Sequence, residues 1–254
     1  MLFRSPLLRA KRLDALLVSY AGEISQHLRT ELARLDVPIV WMHHIEPADS
    51  VGLDEQNAAE QLVEHLADVG FQRFLFVDYS TGITSPATQQ RLRGIELASQ
   101  RRSVTASMMV TQHVPRDQRF EVTRRWLERR NRPRAVIANS MHTAEAILQT
   151  ALHMGLKIPH DLAIVAFDDG SSYSATIPQM TVVVAPHAEL GRAAAEMALQ
   201  KASNPAQPQP NQLLKFKLIP GGTTPALSSG SAPRRSRKNS GSLTAVSDRK
   251  STRL

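Results

Sequence analysis

The stretch from Arg132 to Asp169 reads RPRAVIANSMHTAEAILQTALHMGLKIPHDLAIVAFDD, and it holds one complete strand–helix–strand unit. Pro133 precedes a short apolar run over 135–138. Ala144, Ile147, Leu148, Ala151 and Leu152 then recur at helical spacing, and Gly155 stands where such a helix ends. A second apolar run, 162–167, closes the unit. Both runs are nearly unbroken, as strands covered on both faces are, so they belong in a parallel sheet. In such sheets ligands bind beyond the carboxyl ends of the strands. That rule marks Asn139 and Ser140 after the first run, and Asp168 and Asp169 after the second.

The same alternation extends in both directions. Strands are predicted over 15–20, 39–42, 74–77, 105–110, 181–184 and 213–219. Helical spacing joins Ile24, Leu28, Leu32 and Leu35, then Ala58, Leu62, Leu66 and Val69, with Gly70 placed to end that helix. Further helices follow over 88–100, on the face of Phe120, Thr123, Trp126 and Leu127, and on Leu190, Ala193, Ala194, Met197 and Ala198. Residues 43–57 read as a loop, and 204–212, with Pro205, Pro208 and Pro210, as a linker. Repeating βα units imply an α/β fold with parallel sheets flanked by helices. The strand-end rule adds His43, His44 and the residues from Asp78 to Gly82 to the candidate cleft.

The chain has 254 residues, enough for one large domain or two lobes, with 42% hydrophobic and 21% charged residues. It has no cysteine, which excludes a disulfide scaffold, a thiolate metal site and a cysteine nucleophile. No apolar run reaches the ~18 residues that a membrane span needs. Arg4, Arg9, Lys11 and Arg12 before an apolar stretch imitate a signal peptide, but Asp14 interrupts it, so a cytoplasmic protein is expected. Residues 225–254 carry seven Lys or Arg against the single Asp248, so most of the net charge of +8 lies there. That Ser-rich segment has no aromatic residue and reads as a disordered basic tail. The rest is nearly neutral, so the high charge does not mark a nucleic-acid-binding fold.

Several motifs carry chemistry of their own. Asp168 and Asp169 suit acceptors for ligand hydroxyls or a metal, and equally suit turn capping. Phe76-Val77-Asp78-Tyr79-Ser80-Thr81 invites comparison with the aspartyl-phosphate phosphatases, but Ser80 stands where their general acid would be. His43 and His44 are adjacent on an extended chain and point to opposite sides, which favours one polar cleft contact over a metal site. There is no glycine-rich phosphate loop and no nucleophile elbow. No nucleophile–base pair or metal set emerges, so no enzymatic activity, cofactor or metal is expected.

Read in order, these pieces resemble the effector-binding domain of the lactose/galactose-repressor family (LacI/GalR) of bacterial transcription regulators. The coverage runs from about Leu8 to Thr224. Leu13-Asp14-Ala15-Leu16-Leu17-Val18 is similar to the family's "vDGlil" strand, and Val37-Pro38-Ile39-Val40 to "iPvV". Asp54 through Gly70 resembles "D…a…hL…lGh", and Arg91-Leu92-Arg93-Gly94 resembles "R..Gf". Arg132 through Asn139 is similar to "rPtAifa.ND", and Gly155 through Asp169 to "G..vPeDisviGfDd". Pro178 through Val183 resembles "P.lTTv", Glu189 through Ala194 resembles "elGr.Aa", and Ile219 through Thr224 echoes the closing "R.ST".

The resemblance implies a two-lobed periplasmic-binding-protein-like type I fold with three crossovers and a small effector in the cleft. On it, 1–52 and 185–204 form an N-terminal lobe, 53–184 and 205–224 a C-terminal lobe, and 225–254 the tail. Arg91, Asn139 and Asp168 match effector-facing positions, and their chemistry suits a sugar-like polyol. His43 falls where the family often places a polar side chain on the opposing lobe, and His187, which follows the second crossover, is expected to face the cleft. A homodimer is implied, with operator DNA reached through a headpiece. The family's helix-turn-helix, hinge and first two βα units are not matched, so the expectation is an incomplete, weakly stable N-terminal lobe. A free sugar-binding protein of the same fold, or an inactive truncated fragment, is the alternative. Three departures stand out: Ser140 replaces Asp, Ala166 replaces Gly, and Gly221-Gly222-Thr223-Thr224 replaces the closing Arg-containing motif.

Overall fold

The computed structural model describes residues 13–20, 24–35, 37–43, 46–79, 85–110, 113–170 and 175–227. Residues 1–12, His44, Ser80, Thr81, Gly82 and the expected tail from 228 onward lie outside the described residues. In chain order the elements are β1 (Leu16–Ser19), α1 (Gln26–Ala33), β2 (Ile39–Met42), β3 (Ser50–Leu53), α2 (Glu55–Asp68), β4 (Arg73–Asp78), α3 (Pro86–Arg102) and β5 (Thr105–Val110). After a 3-10 turn at Arg116–Gln118 come α4 (Arg119–Leu127), β6 (Ala135–Ala138), α5 (Met141–His153), β7 (Ala163–Asp168), β8 (Thr181–Val184), α6 (His187–Ser203), β9 (Gln212–Leu214) and β10 (Lys217–Ile219).

The strands form two sheets. The first has the order β1-β2-β3-β9 and is parallel throughout. The second has the order β10-β8-β7-β6-β4-β5, with only β10 antiparallel. Side-chain parity explains why its strands read as unbroken apolar runs. Phe74, Phe76, Val165 and Phe167 face α2 and α3, in the cluster that holds Leu62, Leu66 and Ile95. Leu75, Val77, Ile164 and Ala166 face α4 and α5, with Trp126, Leu127, Ile147 and Leu148. The first cluster continues through Val40 and Val51 of the other sheet and Leu190 and Met197 of α6, so one apolar body joins both sheets.

Three local readings change. β1 alternates between half-buried and exposed positions because it is an edge strand, where a buried run was expected. β3 lies in the stretch read as loop; Ser-Val-Gly-Leu is too short and too polar to show as an apolar run, yet all four residues are buried. The single strand expected over 213–219 is two, one in each sheet. Lys215 and Phe216 separate them, and Phe216 turns into the core.

The chain therefore passes between the sheets three times: at Leu53–Asp54–Glu55, between β8 and α6, and at Lys215–Phe216. The linker after α6 is tied down. Lys201 is buried, and its Nζ lies 3.0 Å from Asp49 Oδ2 and donates to Gln207 O at 3.1 Å. Asp49 Oδ1 in turn accepts from Gln209 N at 2.7 Å.

The closing Gly-Gly-Thr-Thr proves to be an anchor. Thr223 Oγ1 donates to Ile164 O at 2.6 Å and accepts from Thr181 N at 2.8 Å. Thr224 Oγ1 bonds Thr181 Oγ1 at 2.8 Å and His65 Nε2 at 2.9 Å, and both threonines and His65 are buried. Burial pushes the His65 imidazole pKa below its ordinary value, with Asp68 partly opposing. The unfolded chain therefore binds a proton that the folded one resists. Stability is fully present above the unfolded histidine's pKa, about 6.5, and falls as pH drops from there toward the folded-state value. Urea titrations between pH 7.5 and 5 are expected to show this loss. His65→Gln, which keeps a partner for Thr224, is expected to flatten that part of the curve; an unchanged slope would assign the loss to other groups.

Candidate ligand cleft

The parallel register brings the carboxyl ends of β4, β6 and β7 together, so Asp78, Asn139 and Phe167 follow the paired Val77, Ala138 and Ala166, and Asp168 comes one residue later. Asn139 N donates to Val77 O at 2.9 Å, which fixes the side chain at the strand end. Its Nδ2 donates to Asp78 Oδ2 at 3.0 Å and to Thr88 Oγ1 at 3.2 Å. Asn139 O and Oδ1 both accept from Arg91 Nη1, at 2.7 and 2.9 Å. Arg91, on α3, also donates from Nε to Glu55 Oε2 at 2.7 Å, and its Cζ lies 4.0 Å from the centre of the Phe167 ring. The ring face and the carboxylate together hold a planar cation in one orientation.

Of these groups, Glu55, Arg91, Asn139, Phe167 and Asp168 border a cavity of about 260 Å³. That volume is near the lower end of the range for ligand sites and suits a small molecule. Arg91, Asn139, Asp168, His43 and His187, the five residues singled out in the sequence, all line it. His43 follows β2 in a left-handed conformation, φ 67°, and its ring centre is 5.8 Å from that of His187 at the start of α6. Leu53 and Glu55 from the first crossing, Ala185 and His187 from the second and Phe216 from the third also border the space. Each passage between the sheets thus contributes lining residues. Among the described residues no group of three or more His, Asp or Glu could hold a metal ion.

Two contacts limit the donors that the cavity offers. Arg91 does not present its whole fork to the cavity, since Nε and Nη1 are engaged by Glu55 and Asn139. Asn139 uses both amide hydrogens on Asp78 and Thr88, so toward the cavity it offers acceptor capacity alone. Sequence reasoning missed Glu55, Phe167 and Phe216. Glu55 follows the end of β3, and because that strand was read as loop the strand-end rule never pointed to it. Phe167 was taken for strand core, which it also is. Phe216 was hidden inside the expected final strand.

Ser140, which replaces the family's Asp, keeps a local role. Its Oγ accepts from Thr143 N at 3.3 Å and so caps α5, as an Asp would. Ser140→Ala is expected to lower stability by about 1 kcal/mol, and Ser140→Asp to hold it, as read by urea denaturation. Equal values for all three proteins would show that the cap contributes nothing here.

Comparison with known proteins gives a consistent result. Residues 63–224 match the periplasmic binding protein-like domain. The chain is 27% identical to catabolite control protein A of Priestia megaterium over 190 residues, covering 72% of this chain and 56% of that protein. It is 30% identical to an arabinose metabolism transcriptional repressor of Geobacillus stearothermophilus over 181 residues, covering 66% and 48%. The chain thus spans about half the length of these relatives. Among solved structures, a LacI family transcriptional regulator from Enterococcus faecium with bound ribose superposes with a TM-score of 0.71 at 18% identity, covering 86% of this chain and 82% of that one. That likeness is one of fold.

Proposed function

This chain belongs to the periplasmic binding protein-like domain family of LacI-type regulators, and on that premise we propose that it senses a small sugar-like effector between its two sheets. The observation that carries the reading is the lining of one cavity by the strand ends of both sheets and by all three crossings. A ligand there touches both halves at once. It therefore stabilises one relative arrangement of the sheets over others, by its difference in affinity for them. Coupled through a headpiece, that population shift changes operator DNA binding. The relative from Geobacillus stearothermophilus is named as a transcriptional repressor, and we infer a regulatory role for this chain as well, without catalysis and in the cytoplasm. Among the described residues no helix is long and apolar enough to cross a membrane.

The chemistry of the lining fits a polyol. Asp168 supplies carboxylate acceptors, Asn139 an amide oxygen, and His43 and His187 ring nitrogens from the opposing side. We place the lobe borders at the three crossings, which assigns β9 to the first lobe with β3 although 205–224 was expected in the second, and infer a homodimer, which light scattering measures. The central test is calorimetry of the chain against a panel of pentoses and hexoses, with the solution assayed afterwards for chemical change. Saturable one-site heat without turnover is expected for at least one sugar. Absence of heat and of any thermal shift across the panel would sink the sensor reading, and conversion of the sugar would replace it with an enzyme.

A further inference from the structure

A basic surface lies at the end of the second sheet opposite the cleft. The turn that leads from α4 into β6 reads Glu128-Arg129-Arg130-Asn131-Arg132-Pro133-Arg134. Because β4, β6 and β7 are parallel, their amino ends share one edge, and cations from all three gather at this turn. Arg73, at the start of β4, donates from Nη2 to Asn131 O at 3.5 Å. Arg132 Nη1 donates to Asp161 O at 3.3 Å, and Arg134 Nη2 donates to His160 O, both in the loop that leads into β7. That loop also carries Lys157, whose backbone N donates to Asp161 Oδ2 at 2.8 Å. The arginines' contacts go to backbone carbonyls, which place the side chains without neutralising them.

The nearby carboxylates are engaged elsewhere. Glu121 pairs with Arg124 and Arg125 on α4, and Glu128 pairs with Arg124. The Lys157 amide and then His160 hold the Asp161 carboxyl below the usual carboxylate range, so it stays ionised and offsets one cation. Among the described residues, Arg73, Arg129, Arg130, Arg132, Arg134 and Lys157 form no salt bridge. All but the half-buried Arg132 are exposed. Burial pushes the Arg132 guanidinium pKa below its ordinary value; Asp161 opposes this, and Arg134 adds to the fall. Like charges held together repel one another and cost stability. The dipole of α4 does not call for them, since its last turn already holds Arg124 and Arg125. Nor can residues 228–254 neutralise them, with seven Lys or Arg against Asp248. An external polyanion is what offsets such a cluster.

We propose that this surface binds the phosphate backbone of duplex DNA without regard to sequence, at a place separate from the ligand cleft and independent of a headpiece. Five of the six cations are arginines, whose planar forks fit phosphate oxygens. Within 128–134 and 157–161 no large hydrophobic side chain is exposed, whereas the centre of a protein interface is built on such anchors. Those stretches hold no Phe, Tyr or Trp on which the bases of a single strand would stack. Backbone binding needs charge and donors alone. The near-neutral average of residues 1–224 hides this clustering. The inference stands apart from the polyol reading and does not depend on it.

The experiment is fluorescence anisotropy of a labelled duplex of about 20 base pairs, titrated with the full chain between about 50 and 200 mM salt. Two unrelated duplex sequences are expected to bind alike, with Kd on the order of 10⁻⁶ to 10⁻⁴ M and weaker at higher salt. Arg129→Gln with Arg130→Gln removes two exposed cations that form no salt bridge, and circular dichroism checks that the variant folds. It is expected to weaken binding about tenfold or more at the low-salt end and to shrink the log–log salt slope by about 2. Arg192→Gln with Lys217→Gln, exposed positions on α6 and β10, removes the same charge elsewhere and is expected to change little. A third variant, with Arg234, Arg235, Arg237 and Lys238 each replaced by Ser, is expected to keep binding. Absence of duplex binding at low salt overturns the proposal. So does an equal loss in the two double variants, which would make the attraction one of whole-protein charge. Loss in the third variant alone would assign binding to 228–254 and overturn it too. Binding of poly-L-glutamate in place of the duplex would give the surface to an acidic protein, and the DNA proposal would fall.

Discussion

Replacing Arg91 by alanine is expected to unsettle the protein and remove sugar binding together. The guanidinium joins Glu55 on α2, Asn139 at the end of β6 and the Phe167 ring on β7. Its removal leaves the Glu55 carboxylate buried without its partner. Breaking a buried pair from one side costs about 3–5 kcal/mol. Because both side chains keep slight exposure, a loss near the lower end, about 3 kcal/mol, is expected here. Glu55→Gln alone should cost less, since the amide oxygen can still accept from Arg91 Nε and Asn139 still accepts from Nη1. The double variant is expected to be more stable than Arg91→Ala, because no orphaned charge remains, yet still not to bind sugar. Urea titration of the four proteins gives the coupling energy directly. A coupling indistinguishable from zero would show that the pair holds nothing together.

Gly94→Ala is expected to cost at least as much stability, although it adds only one methyl group. Gly94 sits on α3 where that helix crosses α2. A Cβ built there would lie 2.2 Å from Gln56 O and 2.9 Å from Ala59 Cβ. Both are parts of a packed helix, and the first is backbone, so neither can swing aside. Overpacking of a core typically costs 1–3 kcal/mol, and separating two helix backbones belongs at or above the top of that range, about 3 kcal/mol. The same shift would move Arg91, one turn earlier on α3, away from Asn139. The measurement is the urea midpoint and the yield of soluble protein. A variant as stable as wild type would mean that the two helices separate freely. Gly191→Ala is the control, because nothing lies within 4 Å of a Cβ at that glycine, and it should be neutral or slightly stabilising.

These two expectations also show what the motif Arg91-Leu92-Arg93-Gly94 consists of. In the sequence it was one match to a family pattern, with a role assigned to its arginine. In the structure its two ends do separate work. The glycine permits the close helix crossing, and the arginine reaches across to a carboxylate that follows a different strand. Reading the pattern alone gave the arginine a role and the glycine none.

Much of the second sheet was legible in the sequence because its strands are apolar on both faces and separated by amphipathic helices with clear stops. Gly70 and Gly155 end α2 and α5 with φ of 95° and 77°, as their places in the pattern require. β3 was invisible for the opposite reason, since its burial comes from neighbours far away in sequence. Ser50 bonds Asn211 and β3 pairs with β9, each about 160 residues downstream. No local period reports such a partner.

The sequence by itself determined the βα alternation and the parallel arrangement of the strands, and it put His43, Asn139 and Asp168 at strand ends, because strand ends and apolar period are local properties of the chain; Arg91 and His187 were singled out by the family resemblance instead. Only the tertiary structure decided how those residues face one another. The pairing of Arg91 with Glu55, the use of both Asn139 amide hydrogens on Asp78 and Thr88, and the contributions of all three crossings to the cavity depend on contacts between distant segments. Those contacts exist only after the sheets have formed and packed. Electrostatic balance in the cleft is therefore a property of the fold, while the identity of the charged residues is a property of the sequence.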